Sequence, residues 1–234
     1  MKIMTFNTQH CENYMTGKID FQAVADVILK FDADVVSLNE MRGAGSDPGY
    51  EAQMEMLSAL TGMKHFYFAK AIDVPGKGPY GNGILSKIPF VDVENIIIPD
   101  PEEKVYKWDY ETRCVLKVRL EGGATLLITH MGLNPDEQEN AVRTVVEKIE
   151  DERCVLMGDF NMRPENPTLK PIFDKMVDTA AKFDEEKMSF PSDNPNRKLD
   201  YILTSRDVKI IGADIPPITV SDHRPYVAVV EFFA

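Results

Sequence analysis

The chain has 234 residues, 44% hydrophobic and 27% charged, which suits one large domain with a sizeable core and an ordinary globular composition. No apolar run approaches the ~18 residues that a membrane span needs. Its 38 acids against 26 bases give a net charge of -12, and Lys and Arg are scattered singly. That disfavours a high-affinity binder of duplex nucleic acid, though a metal-assisted nuclease stays open.

The chain opens on a strand-like run at 2–6 with no signal-peptide pattern, which reads as a cytoplasmic protein. A helix is expected over 20–31, where Phe21, Val24, Val27, Ile28 and Phe31 keep helical spacing behind Asp20 as N-cap. A strand follows at 34–38. The next helix covers about 51–61, with Met54, Leu57 and Leu60 inward and Gly62 as its stop. Strands are expected at 82–86 and 91–98. Cys114, Leu116, Val118 and Leu120 then alternate with polar positions, and Glu121-Gly122-Gly123 turns the chain into another strand at 124–129. From 134 to 149, Asn134 can cap a helix, Pro135 suits its first turn and Glu137 completes a capping box; Ala141, Val142, Val145, Val146 and Ile149 form its apolar stripe. Strands at 154–157, 200–204, 207–211 and 226–232 complete the chain. Loops at 42–50, 73–81, 99–111 and 187–198 are long for simple connectors, and such loops often frame a site.

Strands dominate, helices interleave early and no linker or repeat divides the sequence. The pattern predicts one mixed α/β (α+β) domain over 1–234. The three cysteines, Cys11, Cys114 and Cys154, have no paired spacing, which argues against a disulfide framework or a zinc site. Cys114 and Cys154 lie in apolar runs and read as buried thiols.

Polar side chains stand repeatedly at strand ends. Asn7 ends the first strand, Glu40 follows Val35-Val36-Ser37-Leu38, and His130 follows Leu126-Leu127-Ile128-Thr129. Asp159 and Asn161 follow Val155-Leu156-Met157-Gly158; Asp200 begins a strand, and Asp222-His223 precedes the last one. Ligand sites in α/β architectures gather at such ends. Each residue alone also has an ordinary reading: a turn asparagine, a solvated glutamate, a core-edge histidine, or an aspartate paired with Arg197 or Lys198. Those readings do not account for the coincidence of all of them in one chain.

Thr5-Phe6-Asn7, Leu38-Asn39-Glu40, Thr129-His130-Met131-Gly132, Gly158-Asp159-Phe160-Asn161, Leu199-Asp200-Tyr201-Ile202 and Ser221-Asp222-His223-Arg224-Pro225 occur in that order. The series resembles the motifs of the endonuclease/exonuclease/phosphatase superfamily, from residue 5 to 225. Single motifs are weak; the ordered set is specific. The resemblance implies a four-layer sandwich of two packed mixed β-sheets flanked by helices, an active site at one edge, and divalent-metal-dependent hydrolysis of a phosphoester. Tyr80-Gly81-Asn82-Gly83-Ile84-Leu85-Ser86 resembles the segment that carries a phosphate-facing polar residue, making Asn82 a candidate, and Glu111-Thr112-Arg113 resembles the segment whose arginine lies near the site. Ser189-Phe190-Pro191-Ser192 resembles a pattern of bacterial members. Gln9 and Gly132 depart from the acids that some nuclease members carry at those positions, which weakens a transfer of nuclease specificity.

The resemblance distributes roles. Glu40, with Asn7 beside it and Asp222 opposite, would hold the metal, magnesium with manganese as substitute, since magnesium takes one or two protein carboxylates. Asp159 would orient or deprotonate the attacking water, and Asn161 would hold Asp159 or the phosphate. His223 paired with Asp200 would act as base or as phosphate-stabilising cation. His130 would donate to a non-bridging oxygen or protonate the leaving group. Arg113, His130, Asn161 and Asn82 form the phosphate-binding set. One metal is favoured over two, though the acids permit either arrangement.

Three substrate classes compete within this reading: a small or lipid-like phosphodiester, DNA or RNA, and a phosphomonoester. The acidic balance favours the first and third, and no basic amphipathic helix offers a membrane-facing surface. Tyr106, Trp108 and Tyr110 in the 99–111 loop could stack on a base or sugar, lean on headgroups, or anchor their own loop. The rival from another class is a binding module that has lost catalysis; retention of Glu40, Asp159, Asp200, Asp222 and both histidines weighs against it. Oligomeric state and physiological substrate are not legible.

Overall fold

The computed structural model describes residues 1–233. In chain order the strands and helices are β1 (Lys2–Asn7), β2 (Glu12–Asn13), β3 (Lys18–Ile19), α1 (Phe21–Phe31), β4 (Val35–Arg42), α2 (Gln53–Thr61), β5 (His65–Val74), β6 (Gly78–Ser86) and β7 (Phe90–Ile97). The second half adds β8 (Cys114–Leu120), β9 (Thr125–His130), α3 (Pro135–Lys148), β10 (Cys154–Asp159), α4 (Lys170–Phe173), β11 (Val177–Asp178), β12 (Asp200–Thr204), β13 (Val208–Asp214) and β14 (Tyr226–Phe232).

Two six-stranded sheets result, one in the order β13-β14-β1-β4-β6-β5 and the other β11-β12-β10-β9-β8-β7. Each sheet has a single parallel pair, β1 with β4 and β9 with β10, inside otherwise antiparallel neighbours. A parallel pair needs a long crossover, and α1 and α3 supply one each.

Strand alternation builds the layers. In β10, Val155 and Met157 enter a core shared with Ile3, Val35, Leu116 and Ile202, while Cys154 and Leu156 face α3 and Ile172 of α4. In β1, Ile3 joins the same central core, whereas Met4 and Phe6 pack under α1 and α2 with Val24, Ile28 and Leu57. The stack is helix, sheet, sheet, helix, the four-layer sandwich implied by the motif series. Among the described residues no helix is long and apolar enough to cross a membrane.

The helix ends follow their local chemistry. Asp20 accepts from Ala23 N at 3.0 Å, and Glu137 accepts from the Asn134 backbone N–H at 3.1 Å. Gly62 closes α2 in the left-handed region.

Two expectations need correction, and one strand went unpredicted. The 73–81 loop is mostly a hairpin: β5 reaches Val74 and β6 starts at Gly78. The strand β5 was not legible because it is an edge strand, half-exposed on both faces and without a clean apolar alternation. Leu60 is 39% exposed, so α2 faces inward through Met54 and Leu57 alone. Cys11 is buried along with the other two cysteines, and all three are free thiols.

Candidate active site

The topology alone collects the polar strand ends. Both parallel pairs present their C-terminal ends to the same edge of the sandwich. Register pairs Asn7 with Asn39, His130 with Asp159, and Asp159 with Asp200.

Two asparagines join the sheets there. Asn7, fully buried, donates through Nδ2 to Glu40 Oε1 and to Asp159 Oδ2, both at 3.0 Å, while its Oδ1 accepts from Gln9 N. Asn39 donates to Asn82 Oδ1 at 2.8 Å and to Thr129 O at 3.1 Å, and it accepts from Asp159 N at 3.0 Å. The contact between strands is close enough that a Cβ on Gly158, whose φ is +140°, would lie 1.8 Å from Thr129 O. Only glycine fits.

Glu40 owes its position to an irregularity. The register of β4 against β6 shifts between Leu38 and Met41, and Glu40 takes a positive φ of 64°. The bulge turns its carboxylate out of the sheet and toward Asp222. Burial lifts the Glu40 carboxyl above its usual range against the Asn7 hydrogen bond, and Asp222 lifts it further. Asp222 is likewise raised by burial.

Asp159 is the centre of the polar network. Its Oδ1 accepts from Asn161 N at 2.9 Å, and its Oδ2 lies 3.6 Å from His130 Nε2 and 3.5 Å from His223 Nε2. Burial pushes its carboxyl up to about 7, against the pull of His223. On the far side of His223, Nδ1 meets Asp200 Oδ2 at 2.7 Å. Burial alone would depress the His223 ring, but the Asp200 and Asp159 carboxylates override it and raise the ring to about 10. His223 is therefore an imidazolium at neutral pH.

His130 has the opposite character. Burial, reinforced by the Arg113 guanidinium, holds its ring well below the usual histidine range. Arg113 Nη1 lies 3.1 Å from His130 Nδ1 and can only donate, which leaves the single ring proton on Nε2. That N–H faces Asp159 Oδ2 at 3.6 Å; Asn161 Nδ2, 3.1 Å from the same nitrogen, is itself a donor and in this tautomer bonds Met131 O at 3.0 Å instead. Neutral and with Nε2–H toward the cavity, the ring is a hydrogen-bond donor rather than an acid. Arg113 is fixed in turn by Glu111 Oε2 at 2.8 Å.

The cavity at this edge has a volume of about 370 Å³. Glu40, Arg113, His130, Asp159, Asp222 and His223 line its polar part, with Asn161 beside them. Tyr80, Leu133 and Phe190 form its apolar walls, and Asp109 stands at the rim. A larger apolar groove of about 690 Å³ runs between α3 and the Pro167–Pro171 segment, but no cluster of mutually perturbed titratable groups faces it. Chemistry, not size, picks the site.

The cavity wall gathers seven of the ten residues singled out in the sequence, and Asn82, Asp200 and Asn7 lie outside it. Asn82 is 2% exposed, and its amide is engaged by Asn39 and the Cys114 carbonyl. Tyr80, two residues earlier, lines the cavity instead. Asp200 lies behind His223, fully buried, and Asn7 lies under Glu40 and Asp159 rather than in the cavity wall. Sequence reasoning missed Asn39, Tyr80, Phe190 and His10, whose Nδ1 is 3.9 Å from Glu40 Oε2. Asn39, Tyr80 and Phe190 were inside motifs already quoted; His10 carried no spacing signal.

A divalent cation fits this donor set. Glu40 and Asp222 are half-buried carboxylates, both raised by burial and Glu40 further by Asp222, and neither pairs with a lysine or arginine among the described residues; oxygen donors of this kind suit magnesium-like ions. Asp159, Asp200 and His223 also bring ligand-type atoms within 4.8 Å of one another. In that trio the His223–Asp200 hydrogen bond already engages Nδ1, so it reads as a proton-holding relay.

Comparison with known proteins gives a consistent picture. A family model described as the endonuclease/exonuclease/phosphatase family matches residues 4–223. No curated protein matches the chain at a significant level. Among solved structures, an endonuclease/exonuclease/phosphatase from Beutenbergia cavernae is 22% identical, with 99% of this chain and 71% of that one covered at a TM-score of 0.80. The mannosyl-6-phosphatase Bt3783 of Bacteroides thetaiotaomicron is 15% identical, covering 99% of this chain and 100% of that one, with a TM-score of 0.77. A D. rerio TDP2 humanised by 14 mutations is 16% identical, covering 99% and 98% respectively, with a TM-score of 0.73. At these identities the structural likeness establishes the fold.

Proposed function

Because the chain belongs to the endonuclease/exonuclease/phosphatase family, whose members are divalent-metal-dependent hydrolases of phosphoesters, we propose that it hydrolyses a small phosphodiester with magnesium as its working ion. The observation that carries this reading is the buried Asp159 carboxylate, bridged to Glu40 by Asn7 and flanked by a neutral and a charged histidine.

Magnesium held by Glu40 and Asp222 would neutralise charge on the phosphate and on the leaving oxygen. Asp159, with its carboxyl near 7, is matched to take a proton from the attacking water at physiological pH. Asn7 and the Asn161 backbone N–H fix the orientation of that carboxylate. The His223 imidazolium, kept charged by Asp200, stabilises negative charge as it develops beside Asp159. His130 donates its Nε2 proton as a hydrogen bond to a non-bridging oxygen, and Arg113 keeps it in that tautomer.

Charge favours a diester. The polar cavity holds the carboxylates of Glu40, Asp109, Glu111, Asp159 and Asp222, whereas Arg113 is already paired with Glu111 and no lysine lines the cavity. A monoanionic diester meets less repulsion there than a dianionic monoester, and far less than a polynucleotide. The mannosyl-6-phosphatase and TDP2 likenesses keep sugar phosphates and nucleic-acid-linked esters in the test panel.

The test is turnover of bis-p-nitrophenyl phosphate, p-nitrophenyl phosphate, a hexose phosphate and single- and double-stranded DNA, each with magnesium, manganese or chelator. Metal-dependent hydrolysis, with the diester preferred, is expected. It should fall by roughly 10²-fold or more in His223→Asn, the scale of one positioned acid–base group. Folded protein that cleaves no ester with either metal would overturn the hydrolase reading in favour of a binding module.

A further inference from the structure

The 99–111 loop contains the only tryptophan of the chain, Trp108, and treats its two halves differently. The backbone is pinned. Trp108 N donates to Asn134 Oδ1 at 3.2 Å, and Trp108 O accepts from Asn134 Nδ2 at 3.1 Å. Asn134 is itself fully buried and held by Glu137 Oε2 at 2.7 Å. Two further latches flank this one: Tyr110 Oη donates to Asp136 at 2.9 Å, and Glu111 N donates to Glu137 Oε1. The indole, by contrast, is 54% exposed, with the Lys107 ammonium 4.8 Å from its centroid.

A fold that buries an asparagine to fix both polar backbone groups of one residue, and then leaves its large aromatic side chain in solvent, has built a rigid exposed platform. Tyr110 anchors the loop; Trp108 does not. Its place in the chain relates it to the proposed reaction. Asp109, the next residue, stands at the rim of the catalytic cavity, and Leu133, next to Asn134, is a 45% exposed part of its wall. The platform is therefore beside the cavity mouth, within reach of a group esterified to a phosphate bound there.

We propose that Trp108 and Asp109 form a subsite for a hydroxyl-bearing sugar ring esterified to the bound phosphate. This rests on the hydrolase reading above and names its substrate class. An indole face packs against the C–H face of a pyranose. Among the described residues the Asp109 carboxylate makes no hydrogen bond or ion pair, and it is an acceptor suited to ring hydroxyls. The same carboxylate, with Glu111 behind it, repels a second phosphate. That favours a neutral sugar over the next nucleotide of a nucleic acid.

The lone tryptophan makes the subsite directly observable. Wild-type protein in chelator, where esters are not turned over, is titrated with dimethyl phosphate, the methyl phosphodiester of a hexose 6-phosphate, and a nucleoside 5′-methyl phosphate, while indole emission is followed. A saturable change with the hexose ester and none with dimethyl phosphate is expected. With magnesium, Trp108→Ala should raise KM for the hexose diester roughly three- to tenfold, the scale of one lost ring contact. Its kcat, and its KM for a glycerol phosphodiester, should stay within about twofold, and Trp108→Phe should restore most of the loss. Asp109→Asn should raise the ratio of the KM for the hexose diester to that for the glycerol diester, because the lost charge eases both anions alike. The alanine variant keeps both backbone hydrogen bonds to Asn134, so the loop itself stays in place.

Equal KM changes for the hexose and glycerol diesters would overturn the subsite, as would an unresponsive indole at saturating hexose ester. A stronger response to the nucleoside ester would replace the sugar by a stacked base and overturn the assignment too. If no diester is hydrolysed, the hydrolase reading fails by itself, and the emission titration in chelator still decides the subsite.

Discussion

His223 and His130 illustrate how identical side chains acquire opposite charge from their surroundings. Both are buried, and burial depresses both. His223 faces the carboxylates of Asp200 and Asp159 and rises to about 10, whereas His130 faces Arg113 and falls. The difference has a consequence for stability. A histidine with a folded-state value of about 10 against 6.5 unfolded contributes stability that is fully present below 6.5 and lost as pH rises through about 10. Asp159 works in the same sense over a lower interval: raised from 3.8 to about 7, it withdraws stability as pH climbs through that interval and changes nothing above it. Between pH 7 and 10 the His223 contribution moves while that of Asp159 does not, and the buried thiols, raised from 9.0, act alike in wild type and in a His223 variant. Urea unfolding in chelator should therefore show wild type losing up to a few kcal/mol relative to His223→Asn over that window. Parallel pH profiles for the two proteins would mean that the ring is not held charged by its neighbours.

Elements position these residues through irregularity as much as through regular structure. The β4 bulge turns Glu40 outward, and the bare Gly158 lets β10 come close enough for Asn39 to reach Thr129 O and Asp159 N. Gly158→Ala would require φ near +140° of a residue with a Cβ and drive that Cβ into the Thr129 carbonyl. A loss of roughly 3 kcal/mol or more is expected, measured as a fall in urea midpoint, because both backbone strain and overpacking act. A neutral substitution would show that the strands can separate without cost.

The regular parts were legible in advance: apolar runs, one of them with period-two alternation, gave ten strands, and helical spacing with Asp20, Gly62 and Glu137 gave three helices. The rest was not. β5 hides because an edge strand is half-wet on both faces, and Leu60 misleads because spacing says nothing about whether a neighbour arrives to cover it. The site behaved in the same way. The ordered motifs identified Glu40, Asp159 and His223, but choosing Tyr80 over Asn82 as cavity-lining requires knowing which face of β6 meets the second sheet.

At the scale of the whole molecule the two sheets repeat one scheme, a parallel pair joined by a helical crossover and extended by antiparallel strands, without a repeat in the sequence. The two schemes meet so that four strand C-termini converge, and Asn7, Asn39 and Asp159 stitch them at one edge. That edge concentrates negative charge within a chain already at -12. Glu40 and Asp222 therefore oppose folding until a cation arrives. Replacing Glu40 with Gln removes one buried charge while preserving the shape and the acceptor that Asn7 uses, so the variant should melt at a higher temperature than wild type in chelator. Magnesium should reverse the ranking. Ion binding to the folded state alone stabilises it by about 2.7 kcal/mol at a hundredfold excess over Kd, a gain that Glu40→Gln should largely forfeit. Thermal unfolding of both proteins with and without magnesium reads both signs at once. A variant that is no more stable in chelator, yet shifts with magnesium as far as wild type, would remove Glu40 from the ion's site. The hydrolase reading would then need its metal elsewhere, at the buried trio of Asp159, Asp200 and His223.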